Sequence, residues 1–148
     1  MSSIRYQQLA DTAQRWMNEI WTKHDFSNFD SLHHPNFQDL SPAGRNSSRA
    51  EYREGIEELF LVFPDFSTFV EDLVIDKLRD KVSIRWSATG HHRGDFLGIK
   101  PTHRSIFFQG IEIIAIDNQG LITERWGEWD GLSLLQQLTT EKGDNNDV

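Results

Sequence analysis

Acidic side chains alternate with tryptophan near the end of the chain. If residues 122–130 form one unbroken strand, every second side chain points to the same face. One face then combines carboxylates with an aromatic ring, which is unusual for a face that only packs on helices: Ile122, Glu124, Trp126, Glu128 and Asp130. A carboxyl buried beside a tryptophan has its charged form destabilised, so its pKa rises toward the range of a general acid or base. The pattern predicts the acidic wall of a small-molecule pocket.

A further carboxylate, Glu112, falls on the strand expected just before this segment. A turn at residues 118–119 would bring Glu112 opposite Arg125 or diagonal to Glu124. Either Glu112 or Glu124 could then act as the base. The alternative is that these acids are solvated or paired with arginines, and the sequence leaves both interpretations open.

The six histidines include the adjacent residues His91 and His92. Neighbours in an extended strand point to opposite faces, so both cannot bind one ion without a bulge. The spacings His-x-x-x-His and His-Glu-x-x-His are absent, and so is cysteine. We therefore predict no metal site, and one of the two histidines becomes a candidate pocket residue.

Composition excludes other kinds of chemistry. With 15 Lys and Arg against 23 Asp and Glu, the net charge is −8, and no basic block favours nucleic-acid binding. Phosphate-binding glycine motifs and the serine-hydrolase elbow are absent, so no motif supports nucleotide or dinucleotide binding or serine-hydrolase chemistry. No apolar run approaches the ~20 residues of a membrane span, and the N-terminus lacks the pattern of a secretory signal. We expect a cytoplasmic protein without membrane contact.

Helices are expected first along the chain. An apolar stripe at steps of three and four predicts a helix ending near Trp21: Tyr6, Leu9, Ala13, Trp16 and Ile20. A short helical turn over residues 26–32 precedes a break at residues 33–35, which we predict to be a loop because Pro35 stops a helix. Ser48 and Glu51 form a capping-box pattern before a second helix that ends near Pro64.

From Phe66 onward the apolar period changes to two. Four strands are predicted, at residues 66–76, 81–91, 104–116 and 121–129, and short turns make them antiparallel neighbours. Gly131 opens a final helix whose Leu132, Leu135 and Leu138 are expected to pack on the body. Helices followed by strands indicate an α+β fold, with helices on a curved antiparallel sheet that encloses a pocket. We predict one domain over residues 1–138 and a disordered tail over 139–148.

Several blocks match a known family in order and spacing: FPD at 63–65, RWSATGHHRGDFLGIKPT at 85–102, GIEI at 110–113, ITERW at 122–126 with Asp130, and LLQQL at 134–138. Together they resemble the SnoaL-like polyketide cyclases, also called the ester cyclase family. The resemblance implies the cone-shaped nuclear transport factor 2-like fold, assembled as a homodimer or higher homo-oligomer through the sheet. It also implies ring closure by intramolecular aldol condensation without metal or cofactor.

The resemblance also suggests site residues. Glu124 lies nearest the family's catalytic acid, and the family's histidine falls near Ile111 or Glu112, where this chain has none. Either His92 supplies the imidazole, or the cyclase machinery is incomplete. The candidate catalytic residues are Glu124, Glu112 and His92. The candidate substrate-binding residues are Arg85, Gln109, Trp126, Trp86, Asp130 and Trp16.

The leading hypothesis is a cofactor-independent enzyme acting on a hydrophobic, carbonyl-bearing small molecule. A second hypothesis is a non-catalytic ligand-binding or assembly domain of the same fold. A third is isomerisation, dehydration or epoxide hydrolysis in the same pocket. The sequence does not separate these reactions, because all of them need an acid/base pair in a dry cavity.

Overall fold

The computed structural model describes residues 2–41 and 47–140. The helices are α1 (Ser2–Arg15), which continues as a π-helical segment (Trp16–Thr22), α2 (Phe29–Leu32), α3 (Arg49–Val62) and α4 (Gly131–Thr139). The strands are β1 (His33–Asp39), β2 (Ser67–Asp76), β3 (Lys81–His91), β4 (Ser105–Ile116) and β5 (Ile122–Trp129). No helix within the described ranges is long and apolar enough to cross a membrane.

The helices form where the apolar spacing predicts them. The apolar stripe of the first helix is buried from Leu9 through Trp16 to Ile20, whereas Tyr6 at its start is 52% exposed. The capping box of α3 is confirmed, because the Ser48 hydroxyl accepts a hydrogen bond from the backbone N–H of Glu51. Both helices bury their apolar sides against one face of the sheet, hereafter the inner face.

The four predicted strands are confirmed, and they pair as antiparallel neighbours in the order β5-β4-β3-β2. The turn between β4 and β5 closes through Asp117, whose backbone N–H donates to the Leu121 carbonyl. Gly120 has a φ of 83° in this turn, a conformation that favours glycine.

A fifth strand, β1, lies parallel to β5 at the edge of the sheet, so the sheet is mixed. The prediction of a loop at residues 33–35 was wrong at this point. Pro35 has no backbone N–H to donate, but it is exposed on an edge strand, where proline is tolerated. The proline therefore rules out a helix here without ruling out a strand.

The final helix packs on the body through a different set of leucines from the one predicted. Leu134 and Leu138 are buried, whereas Leu132 is 67% exposed and Leu135 is 38% exposed. The helix ends at Thr139, and most of the predicted tail, residues 141–148, lies outside the described residues. The single-domain assignment stays a prediction.

Strand β5 contains a bulge that decides which side chains face inward. Ile116 pairs with Ile122, but the preceding Ala115 pairs with Glu124, so Thr123 is an extra residue on β5. Ile122 and Arg125 consequently both point to the inner face and are buried. The unbroken alternation assumed from the sequence does not hold across this point.

Candidate active site

A cavity of about 190 Å³ lies between the inner face of the sheet and the helices. Most of its wall is apolar or aromatic, with Met17, Phe66, Trp86, Phe108 and Leu134 among the lining residues. The polar side chains in the wall are few: Ser41, Tyr52, Thr68, Glu112 and Arg125. An apolar cavity with a small number of polar groups is typical of a small-molecule site.

Three charged residues form a buried row beside this cavity, one from each of three neighbouring strands. Asp39 on β1 pairs in register with Arg125 on β5, and Glu112 on β4 lies diagonal to Arg125. Arg125 Nη1 is 2.7 Å from Asp39 Oδ1, and Arg125 Nη2 is 2.6 Å from Glu112 Oε1. All three residues are at most 7% exposed. The guanidinium of Arg125 thus forms buried ion pairs with two carboxyl groups.

The environment of Glu112 sets its protonation. Burial raises the pKa of Glu112 to about 7, against the positive charge and the hydrogen bond of Arg125, with a smaller lowering effect from the nearby Trp86 indole. The negative charge of Asp39 adds to the rise. A carboxyl with a pKa near neutrality exchanges its proton readily at physiological pH, which suits a general acid or base.

Two glycines on the inner face leave room for these side chains. A Cβ on Gly127 would collide with Arg125 and with the carboxyl of Glu112, and a Cβ on Gly110 would collide with the ring of Trp86. Gly127 lies directly opposite Glu112 in the ladder. The close approach of the guanidinium to the sheet therefore requires glycine at position 127.

The family model of the SnoaL-like polyketide cyclases matches residues 11–138. The chain belongs to this family. Solved structures of similar proteins confirm the nuclear transport factor 2-like fold of this SnoaL-like chain. A SnoaL-like candidate polyketide cyclase from Jannaschia sp. CCS1 superposes with a TM-score of 0.79 at 19% identity, over 91% of this chain and 94% of that one.

Two Streptomyces structures are also similar to this SnoaL-like chain. IdmH of Streptomyces antibioticus, a candidate polyketide cyclase, has a TM-score of 0.77 at 25% identity, covering 88% of this chain and 98% of its own. TsrD of Streptomyces laurentii has a TM-score of 0.74 at 27% identity, covering 93% and 97%. No curated protein matches the chain.

Two of the predicted site residues of this SnoaL-like chain, Glu112 and Trp86, line the cavity. Four others lie on the opposite, outer face of the sheet. Glu124 pairs with Ala115, and Trp126 lies beneath the ammonium of Lys81, 4.7 Å from the ring centre. Arg85 is exposed and bonds Asp72 at 2.7 Å, and Gln109 is exposed. The bulge at Thr123 is the physical reason for the error on β5, because it reverses the faces expected for Glu124 and Trp126.

The three remaining predicted residues lie elsewhere. His92 is fully buried against Phe63 outside the cavity, and its Nδ1 accepts a hydrogen bond from the backbone N–H of Thr102. Burial lowers the pKa of His92 and favours the neutral ring. Asp130 caps α4 by accepting from the Ser133 backbone N–H, so it has a structural contact. None of these contacts reaches the charged row.

Trp16 belongs to the core rather than to the cavity wall. Its indole N–H donates to His33 Nε2 at 3.1 Å, and His33 Nδ1 lies 2.7 Å from the carbonyl oxygen of Phe29. Burial lowers the pKa of His33 to about 4, so the ring is neutral at pH 7. Both ring nitrogens have partners, which is how a fully buried histidine is accommodated.

Two residues of the charged row were not predicted as site residues. Asp39 lies on the strand β1, which was not predicted, and Arg125 was considered only as a possible partner of the acidic residues. The alternation of Phe37 and Asp39 after Pro35 is the signal that could have indicated an edge strand. Within residues 2–41 and 47–140, no group of three or more His, Asp or Glu side chains is arranged to hold a metal ion.

Proposed function

We propose that the protein is a cofactor-independent cyclase of the polyketide type, acting on a hydrophobic, carbonyl-bearing small molecule, with Glu112 as general acid/base. The observation that carries the proposal is a buried carboxyl with a pKa of about 7 in the wall of an apolar cavity. Glu112, and not Glu124, is assigned as the general acid/base, because Glu124 lies on the outer face of the sheet. Family membership supports the reaction class.

The reaction follows from what Glu112 can do. The ionised carboxylate removes a proton from a carbon α to a carbonyl and leaves an enolate. The enolate carbon attacks a second carbonyl carbon of the same molecule, which forms the new C–C bond and turns that carbonyl oxygen into an alkoxide. The carboxylic acid of Glu112 then returns the proton to the alkoxide. The positive charge of Arg125, held in a site of low dielectric, stabilises the negative charge of both intermediates.

The cavity supports a hydrophobic substrate, because its aromatic walls exclude water from the enolate. Its volume suits a bicyclic ring system, and Trp129, which is 43% exposed, marks where a longer substrate would reach solvent. Isomerisation begins with the same proton removal, so analysis of the products separates it from cyclisation.

The test is exchange of the α-protons of 1-tetralone for deuterium in D₂O. The loss of their ¹H NMR signal measures the rate of this exchange. The wild-type protein should catalyse the exchange, and Glu112→Gln should slow it at least about 100-fold, the usual contribution of a general base. Glu124→Gln is the matched control and should exchange at the wild-type rate. Equal rates for wild type and Glu112→Gln would remove Glu112 from the reaction, and binding of 1-tetralone without any exchange would favour a ligand-binding domain.

We also propose that two copies of the chain pack together through the outer face of the sheet. This face exposes large apolar side chains, including Phe69 at 68%, Val74 at 62%, and Phe107 and Ile111 at 51% each. Several exposed large apolar side chains on one face are typical of an interface. The same face carries both signs of charge, with Arg85 and Glu128 on either side of Ile111. Opposite charges on one face suit a twofold interface, in which the face meets its own copy.

A further inference from the structure

The indole N–H of Trp21 is buried and makes no hydrogen bond to any residue in the described ranges. The buried indole of Trp16 differs in this respect, because it donates to His33 Nε2 at 3.1 Å. A buried donor without a partner is rare in folded proteins, because it loses its hydrogen bond to water and gains none in return.

Trp21 belongs to the wall of the cavity, at the end where the first helix meets β2. Its ring packs on Phe60 at 5.9 Å and on Phe66 at 6.1 Å between ring centres. These neighbours are apolar and offer the indole no acceptor. A molecule in the cavity is therefore the natural source of one.

Three aromatic rings separate Trp21 from the proposed acid/base. Phe66 packs on Phe108 at 5.9 Å, Phe108 packs on Trp86 at 5.5 Å, and Trp86 and Glu112 both line the cavity. The cavity wall thus has charged groups at one place and the Trp21 N–H at another, with aromatic rings between them. A ligand that satisfies both places carries oxygen functions at both of its own ends.

We propose that Trp21 Nε1–H binds an acceptor oxygen of the substrate, at the end of the molecule remote from the carbon that Glu112 deprotonates. The proposal rests on the proposed function for the Glu112 end. It defines the substrate class as an aromatic or fused-ring ketone with a second carbonyl or similar acceptor across the ring system. Trp21 is then a specificity-determining residue, since it discriminates substrates by an interaction far from the reacting bond.

The experiment uses two probes that differ in one group. In 6-acetyl-1-tetralone the remote acceptor is a carbonyl, and in 6-isopropenyl-1-tetralone a CH₂ group replaces that oxygen. The wild-type protein should bind the acetyl probe about five- to tenfold more tightly, the value of one hydrogen bond. Trp21→Phe should bind the two probes equally. Trp126→Phe, which changes an indole on the outer face of the sheet, is the matched control and should keep the preference.

NMR of the wild-type protein gives an independent measurement that does not depend on a folded variant. The indole ¹H–¹⁵N resonance of Trp21, assigned by triple-resonance spectra, should move downfield with the acetyl probe and much less with the isopropenyl probe. An unmoved resonance at saturation, an equal preference in Trp21→Phe, or failure of both probes to bind overturns the role of Trp21. If 1-tetralone exchange by Glu112 persists in that case, the proposed function stands; if the exchange is absent too, both fail.

Discussion

Glu112 is subject to two opposing effects, and burial is the stronger one. Arg125 lies within 2.6 Å and would by itself keep the carboxyl ionised. Desolvation outweighs that attraction, partly because Arg125 divides its charge between Glu112 and Asp39. The proton affinity of Glu112 therefore depends on a residue that does not line the cavity. Asp39 is a positioning residue in this scheme.

Replacing Asp39 by Asn tests this dependence through the pH profile of exchange. The base form of Glu112 is its ionised form, so wild-type exchange of 1-tetralone should rise with pH through about 7. Without the negative charge of Asp39, Arg125 acts on Glu112 alone and the pKa of Glu112 falls. The rise in Asp39→Asn should then lie at lower pH than in the wild type.

The control for that profile is Asp72→Asn, which removes a carboxylate paired with Arg85 on the outer face. Its profile should match that of the wild type. A profile of Asp39→Asn that loses height at every pH without moving would show that Asp39 only supports the local structure.

Two residues selected from the sequence lie in the cavity wall. Glu112 and Trp86 were identified because a carboxyl and an indole on neighbouring strands are suited to acid/base chemistry. Glu124 was placed wrongly because alternation carries a face assignment along a strand only while no residue is inserted. The sequence around Thr123 has no glycine or other feature that marks a bulge, so the reversal was not visible.

At the scale of elements, strands β4 and β5 build the site from small residues as much as from charged ones. Gly110 and Gly127 lie on the inner face, and the large side chains of Trp86, Glu112 and Arg125 occupy the space above them. The absence of a Cβ at these two positions leaves room for the charged row above the sheet at normal strand spacing.

Replacing Gly127 by Ala should separate Arg125 from Glu112, because the added methyl group occupies their volume. We expect a loss of about 2 kcal/mol in the free energy of unfolding, as for other overpacked interiors. Exchange of 1-tetralone should fall at least tenfold, because the charged row no longer forms. Chemical denaturation and the exchange assay measure the two effects.

Gly131→Ala is the matched control for that substitution. A Cβ there meets the ring of Trp129 at an ordinary 3.4 Å, and position 131 opens α4. Stability and exchange should both stay near wild type. An active, stable Gly127→Ala protein would show that the charged row tolerates displacement.

The elements themselves were predicted well because their apolar periods are long and regular. The strands β3 and β4 and the helix α3 each follow one period over their whole length, and β2 and β5 each follow it on both sides of a single irregularity. Strand β1 was missed because it has only seven residues, contains Pro35 and buries three side chains, His33, Phe37 and Asp39. Its parallel pairing with β5 joins segments far apart in the chain, which no local pattern reports.

At the scale of the whole molecule, we expect a dimer formed through the outer face of the sheet. One charge introduced in the middle of that face should dissociate it. Ile111 lies in the middle of that face, opposite Arg85. Ile111→Lys places a second positive charge there, and in a twofold interface the charge faces its own copy. Sedimentation equilibrium should give a dimer for the wild type and a monomer for the variant.

Leu61→Lys serves as the control, since Leu61 is 76% exposed on α3 and away from the sheet. It should remain dimeric. A wild-type monomer, or an Ile111→Lys dimer of unchanged affinity, would contradict pairing through this face.

His33 and Glu112 exchange protons with solvent in opposite directions when the chain unfolds. The pKa of His33 is about 4 in the folded protein and near 6.5 in an unfolded chain, so its contribution to stability is lost as pH falls from 6.5 toward 4. The pKa of Glu112 is about 7 folded and near 4.5 unfolded, so its contribution is lost as pH rises from 4.5 through 7. Each pKa difference corresponds to about 3 kcal/mol. Between pH 4.5 and 6.5, unfolding therefore adds a proton at His33 and releases one at Glu112, and the two opposing slopes nearly cancel. Mild acid can switch off the base while these two groups leave the stability of the fold almost unchanged.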